Sequence, residues 1–222
     1  MTTNTTAMPA PHDTTVGDDD PRAIFARAVS TAGSVIAAVT PEQLDGPTPC
    51  DDYDVRKLLG HLVGVLRRVA VVGSGGDALS VPQIADDVAG DAWSAAWLDA
   101  AHQVQAAWSD DAVLARMVRL PWTELPGDAA LALYTNEITV HTWDVATATG
   151  QRPEWDAQVL EAAFAAIRQG MPAGGRSAAF EAMRASLPEA LRHAKAPFAE
   201  AVDVGDDAPA IDRLVAWNGR RA

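Results

Sequence analysis

The amino-acid sequence predicts an all-α fold: a four-helix bundle with additional short C-terminal helices. Two observations carry that prediction. Four long segments each place apolar residues at three- and four-residue steps, the repeat of a helix with one buried face. Few segments alternate apolar and polar residues as a half-buried strand does. Helices with one narrow stripe apiece can bury those stripes together only as a bundle. The composition agrees, since 222 residues with 48% hydrophobic and 21% charged suit one globular domain with a sizeable core.

The first helix is read from "DDDPRAIFARAVSTAGSVIAAVT": an acidic cap and a proline suited to the first turn precede a stripe of Phe25, Ala28, Ala32, Val35 and Val39. The second is "DVRKLLGHLVGVLRRVAVV", capped by Asp54, with Val55, Leu58, Leu62, Leu66 and Val69 facing inward. It ends at the break "GSGGD". The third, "DAWSAAWLDAAHQVQAAW", offers Trp93, Trp97, Ala101, Val104 and Trp108. The fourth lies in "LPGDAALALYTNEITVHTWDVATATG", with a seam of Leu131, Tyr134, Ile138, His141, Val145 and Ala148 and a C-terminal glycine at Gly150. The stretch between Trp108 and Asp128 is too long for a tight hairpin, so this connection is expected to cross the bundle. Shorter helices follow in "DAQVLEAAFAAIRQG", "RSAAFEAMRASL" and "APAIDRLVAWNG". They carry too few large apolar side chains to fold alone and are expected to pack on the bundle. Residues 1–19 read as a disordered acidic leader and 20–222 as one domain.

The bulk properties exclude several classes. A formal charge of −13 repels a polyanion, so nucleic acid is not an expected partner. One cysteine, Cys50, permits no intramolecular disulfide. The leader lacks the charged start and apolar run of a signal peptide, and no apolar stretch approaches the ~20 residues of a membrane span. A cytoplasmic protein without membrane contact is the expectation. An exposed helix face leaves room for a homodimer.

The chemistry concentrates in "NEITVHTWDV". Glu137 and His141 stand four residues apart, with Cβ atoms about 5–6 Å from each other on one helix face. In "LLGHLVGV" of the second helix, His61 lies in the row of Leu58 and Val65, flanked by Gly60 and Gly64. Each interior glycine costs a helix about 1 kcal/mol relative to alanine. Two of them imply that something approaches that backbone closely. Two imidazoles and a carboxylate suit zinc, with iron or nickel as neighbours in preference, and three protein ligands leave a position open to water or substrate. Asp144, three residues after His141, is placed to hold an imidazole N–H. Spacing alone equally allows a solvated Glu–His pair or a satisfied core histidine.

The segments "TPC…DVRKLLGHLVG" and "E…HTWDVATATGQ", with "DPRAIFARAV" before them and "DAPAIDRLVAWNGRR" at the end, resemble the metal-binding DinB-like family related to mycothiol-dependent maleylpyruvate isomerase. The resemblance implies a DinB-like four-helix bundle with a divalent metal at one end, ligated here by His61, Glu137 and His141. It further implies a low-molecular-weight thiol such as mycothiol, held as a thiolate for transfer to, or isomerisation of, an electrophilic substrate. In that reading the ligands supply neither acid nor base. The isomerase proper carries a further C-terminal domain, whereas this chain has only a short helical tail, so maleylpyruvate is not the expected substrate. Tyr53 stands where the family often has tryptophan. The alternative function is a non-catalytic DinB-like protein that binds a metal or small ligand.

Other residues have plainer readings. Cys50 is either a reactive thiol or extra ligand, or a small packed residue at the start of the second helix, and the latter is favoured. His102 and His193 are expected to face solvent, and His12 lies in the leader. Trp93, Trp97 and Trp108 belong to a core stripe, while Trp143 either lines the metal cavity or packs elsewhere. The loop "RLPWTELPG" around Trp122 is expected to overhang the metal end. Arg67, Arg68 and Arg119 either bind an anionic ligand or neutralise nearby carboxylates.

Overall fold

The structure, a computed structural model, describes residues 17–120, 123–187, 189–192 and 199–222. The expectations for residues 1–16, for Trp122 and for His193 therefore lie outside the described residues. Helix α1 spans Pro21–Ala37, α2 Val55–Gly73, α3 Trp93–Ala107, and α5 Gly127–Thr149. Between α3 and α5 come a single turn, α4 (Ala112–Ala115), and an antiparallel hairpin of β1 (Met117–Leu120) and β2 (Thr123–Pro126). Three helices follow α5: α6 (Ala157–Gly170), α7 (Arg176–Met183) and α9 (Ala210–Trp217), with the short α8 (Glu189–Arg192) before the last.

Local chemistry sets the helix ends. Asp20 accepts from the Arg22 N–H, Asp54 from Lys57 and Asp156 from Val159, each relieving an otherwise unpaired donor in the first turn. Gly150 adopts φ 72° and closes α5, with the N–H of Gln151 reaching back to the Ala146 carbonyl.

The stripes meet as expected, with three adjustments. Val55, Leu58, Leu62, Leu66 and Val69 of α2, Leu131 and Ile138 of α5, and Ala32 of α1 are all fully enclosed. Val39 and Ala148, at stripe ends, are only half-buried, and in α3 it is Ala100 that faces the core in place of Ala101. The spacing permitted either alanine, because steps of three and four are interchangeable along a stripe of 3.6 period. Trp97 donates to the Val29 carbonyl at 3.1 Å and Trp108 to the Val69 carbonyl at 2.9 Å, so the indole N–H groups are satisfied inside the core.

Both α1 and α2 pack chiefly against α3 and α5. That arrangement places α1 diagonal to α2, and α3 diagonal to α5. Two connections therefore cross the bundle, residues 38–54 as well as 108–126, where one was expected. The second crossing contains a hairpin that short period-2 segments did not announce.

The C-terminal helices extend the core. Helix α6 packs on α5 and α1, and α9 on α6 and α5. A second apolar cluster forms there from Val140, Leu160, Ala163, Ile167, Leu214 and Val215, with Trp143, Phe164 and Trp217 against it. Trp143 thus belongs to this cluster. Among the described residues, no helix is long and apolar enough to cross a membrane.

Candidate metal centre

Helices α2 and α5 lie side by side and carry the site between them. His61 and His141 are buried, 5% and 8% exposed, while the Glu137 side chain keeps 30% of its surface open. One carboxylate oxygen, Glu137 Oε1, lies 3.1 Å from His61 Nε2 and 3.5 Å from His141 Nε2. The two rings meet edge to face with centroids 4.8 Å apart. The ligand atoms of the three residues all fall within 4.8 Å of one another. Spacing could not establish that these helices adjoin at matching heights; the structure does.

Each imidazole is aimed from behind. His61 Nδ1 lies 3.1 Å from the Gln83 carbonyl oxygen. That carbonyl reaches α2 because Gly60 and Gly64 have no side chains. A Cβ on Gly60 would meet Ile84 Cγ2 at 2.8 Å and the Ala85 carbonyl at 3.0 Å, and one on Gly64 would meet the Gln83 and Pro82 carbonyls at 3.0 and 3.1 Å. The close approach implied by the two glycines is made by the chain's own segment 82–85. The Ala85 N–H donates to the Gly60 carbonyl at 2.9 Å and pins it. Tyr53, from the loop before α2, stacks on His61 with centroids 5.3 Å apart, and its hydroxyl accepts from Gln83 Nε2 at 2.8 Å.

His141 Nδ1 donates to Asp144 Oδ2 at 3.0 Å, as the three-residue spacing suggested. Asp144 is fully buried and is also gripped by Arg220, whose Nε and Nη2 lie 3.2 and 2.9 Å from its two oxygens. Nothing in the spacing pointed to Arg220, which is 76 residues away. The Gln83 carbonyl was equally hidden, since a backbone oxygen leaves no mark on the sequence beyond the glycines that admit it.

These contacts decide the protonation. Burial alone raises the Asp144 carboxyl, but hydrogen bonds from His141 and Arg220 outweigh it and hold Asp144 below the usual range. Burial would likewise raise Glu137, and bonds from both imidazoles push it well below the usual value instead. His141 is pulled down by burial but lifted further by Asp144 and Glu137, to about 9. For His61, burial outweighs the bond to Glu137 and lowers the imidazole below its ordinary value.

The neutral form of His61, which burial favours, meets a conflict. It has one N–H to give, yet Nδ1 faces a carbonyl and Nε2 faces a carboxylate, and both partners only accept. Either orientation of the proton leaves two lone pairs opposed across about 3 Å. A second proton would resolve the conflict but is disfavoured by burial, and a cation at Nε2 would resolve it as well. Two donors bonded to one tetrahedral ion at ~2.0–2.1 Å lie about 3.3–3.4 Å apart, between the 3.1 and 3.5 Å separations present. The residues fit a divalent metal.

The profile of the mycothiol maleylpyruvate isomerase N-terminal domain family matches residues 25–146, a span that holds all three of these side chains. The chain belongs to this family. Two relatives, the uncharacterized proteins Rv0738 and MT0763 from two strains of Mycobacterium tuberculosis, are each 28% identical over 206 residues, covering 90% of this chain and 98% of the relative. No solved structure matches. For this member of the mycothiol maleylpyruvate isomerase N-terminal domain family, the helical bundle agrees with the fold its sequence resembled.

Other residues take different places. A second group of metal-capable atoms comprises Cys50, His141 and Asp144. There, however, Asp144 already carries two bonds from a guanidinium, and a cation would face that like charge. Cys50 is half-buried, and burial pushes its thiol up, so it enters as a neutral wall of the site. The hairpin does not overhang the metal end. Gly127, where it joins α5, is ten residue steps before Glu137, about 15 Å of helix axis. The site is covered instead by the loop bearing Cys50 and Tyr53, by segment 82–85 and by Arg220. Arg119 pairs with Glu124 at 2.7 Å, Arg67 with Asp87 at 2.7 Å, and Arg68 donates to the Ala78 and Val81 carbonyls. His102 is exposed, as expected.

Proposed function

We propose that the chain binds one divalent cation, zinc by preference with nickel or iron next, through His61, Glu137 and His141. We propose further that it serves thiol-dependent transferase or isomerase chemistry on an electrophilic small molecule. The observation that carries the metal reading is the setting of His61, whose two ring nitrogens each face an acceptor at 3.1 Å while burial disfavours the doubly protonated form. Membership of the mycothiol maleylpyruvate isomerase N-terminal domain family supports the thiol.

A divalent cation supplies one thing here: it lowers the pKa of a thiol bound to it, so that a cofactor of the mycothiol type is presented as a thiolate at neutral pH. The chain's own residues do the rest. Gln83 and Asp144 fix which nitrogen of each imidazole faces the centre. Glu137 contributes a negative charge that partly neutralises the ion, and its open side is the approach from solvent. Tyr53 covers one face of His61 and narrows that approach.

Elemental analysis of the purified protein tests the first step, and thiol-dependent turnover across electrophilic substrates the second, with His141→Ala as control. About one equivalent of metal in the wild type, absent from the variant, supports the site. Metal without turnover for any thiol assigns the protein to recognition, a sensor or sequestering role. Equal metal in both proteins overturns the ligand assignment.

A further inference from the structure

We propose that Arg220, near the C-terminal end of the chain, is a positioning residue for the metal centre, acting through Asp144 on His141. The inference rests on the reading of His61, Glu137 and His141 as ligands and adds a residue that lies far beyond the family's matched span of 25–146.

Asp144 has two carboxylate oxygens in a fully buried position. His141 Nδ1 contacts only Oδ2, whereas Arg220 spans both, Nε on Oδ1 at 3.2 Å and Nη2 on Oδ2 at 2.9 Å. A planar fork of this kind fixes the rotation of a carboxylate as well as its charge. With the carboxylate fixed, His141 can turn neither its ring nor its Nδ1–H, and Nε2 stays aimed at Glu137. Without Arg220, an ionised carboxylate would remain buried with one imidazole partner, at a cost of the kind that drives such groups to rotate, hydrate or take a proton.

The guanidinium is itself held by a purpose-shaped turn. At the end of α9 the Gly219 N–H donates to Ala216 and the Arg220 N–H to Val215, a paired closure that needs a left-handed residue between them. Gly219 supplies it, with φ 82°, and a Cβ there would sit 2.6 Å from Ala199 Cβ. Arg220 Nη1 donates to the Asn218 carbonyl at 2.9 Å. Asn218 in turn exchanges two amide hydrogen bonds, 3.2 and 2.9 Å, with Asn136, the neighbour of Glu137. The C-terminal turn is thus locked to α5 at both ends of the ligand pair, and only 15% of the Arg220 side chain is exposed.

The test compares wild type with Arg220→Ala, Arg220→Lys, Asp144→Asn and the double variant Asp144→Asn/Arg220→Ala. Zinc affinity is read by chelator competition, and the ligand field by the visible band of the cobalt(II) form. Loss of a partner that orients a ligand typically weakens metal binding about 10–100-fold. We expect that loss in Arg220→Ala with a displaced cobalt band, an intermediate value in Arg220→Lys, and no further loss when Arg220→Ala is added to Asp144→Asn. Wild-type affinity and band in Arg220→Ala, or losses that simply add in the double variant, overturn the proposal. Should Arg220→Ala fail to fold by circular dichroism, the lysine variant decides, and wild-type affinity in it has the same consequence. If the wild type itself binds no metal, the metal reading fails separately. The inference is then judged on the Nδ1–H proton of His141 in the metal-free protein: faster solvent exchange in Arg220→Lys sustains the positioning role and an unchanged rate ends it.

Discussion

Zinc binding to this site should expel one proton, and that proton comes from His141. In the metal-free protein its imidazole is held up at about 9 because hydrogen bonds to Asp144 and Glu137 outweigh burial, so at pH 7 it is charged and its Nε2 is blocked. Glu137 is held well below its ordinary value by both imidazoles, and burial lowers His61, so neither is the expected source of the proton. The metal therefore competes with a single proton about two pH units below its pKa, which lowers apparent affinity about 100-fold, or about 3 kcal/mol, relative to pH above 9. Calorimetric titration of zinc at pH 7 in two buffers of different ionisation enthalpy should report about one proton released per ion. Apparent affinity should climb about tenfold per pH unit between 7 and 9 and then level off. A release near zero at pH 7, or an affinity flat across that window, would refute the reasoning. The sign for folding runs the other way. A pKa raised from the ordinary 6.5 to about 9 stabilises the metal-free fold fully below 6.5, and that stability is lost as pH rises through 9. The melting temperature of the metal-free protein should fall across this window, and the increment conferred by zinc should grow.

Two substitutions separate the site from its scaffold. Gly64→Ala places a Cβ 3.0 Å from the Gln83 carbonyl, which is backbone and cannot rotate away, so it should lower stability by about 1–3 kcal/mol and weaken zinc binding by shifting the acceptor of His61. Unchanged zinc affinity in a folded Gly64→Ala protein would contradict the role given to segment 82–85. Trp108→Phe removes the 2.9 Å bond to the Val69 carbonyl and should cost about 1–3 kcal/mol in urea unfolding while leaving zinc affinity intact, because it lies near the other end of α2.

The bundle was legible because its four long stripes are long and regular: every α2 stripe residue named from spacing is enclosed, and caps at Asp20, Asp54 and Gly150 are where side-chain and glycine chemistry placed them. The connections were not legible. Which helices adjoin depends on how stripes pair in space, and nothing local in residues 38–54 marks them as a diagonal crossing. The hairpin escaped for a related reason, since four-residue strands carry too few alternations to stand out. At the site, Glu137 and His141 were visible through their spacing and His61 through its flanking glycines.

Glu137 and His141 stand in a seam where leucine would pack more cheaply. A buried ion pair made from one helix and its neighbour seldom repays its desolvation, and replacing it by apolar residues is often neutral or better. Here the arrangement goes beyond a pair. Segment 82–85 crosses α2 over two glycines that weaken the helix, and a C-terminal turn brings a guanidinium to a carboxylate with no exposed surface. Each device fixes the outer nitrogen of an imidazole and leaves the inner one to converge on Glu137. A neutral core histidine that merely needed satisfying would require one acceptor, whereas His61 faces two, and its neutral form, favoured by burial, cannot serve both with one proton. A positive charge brought from outside the chain, as in the metal reading proposed above, would account for that expense.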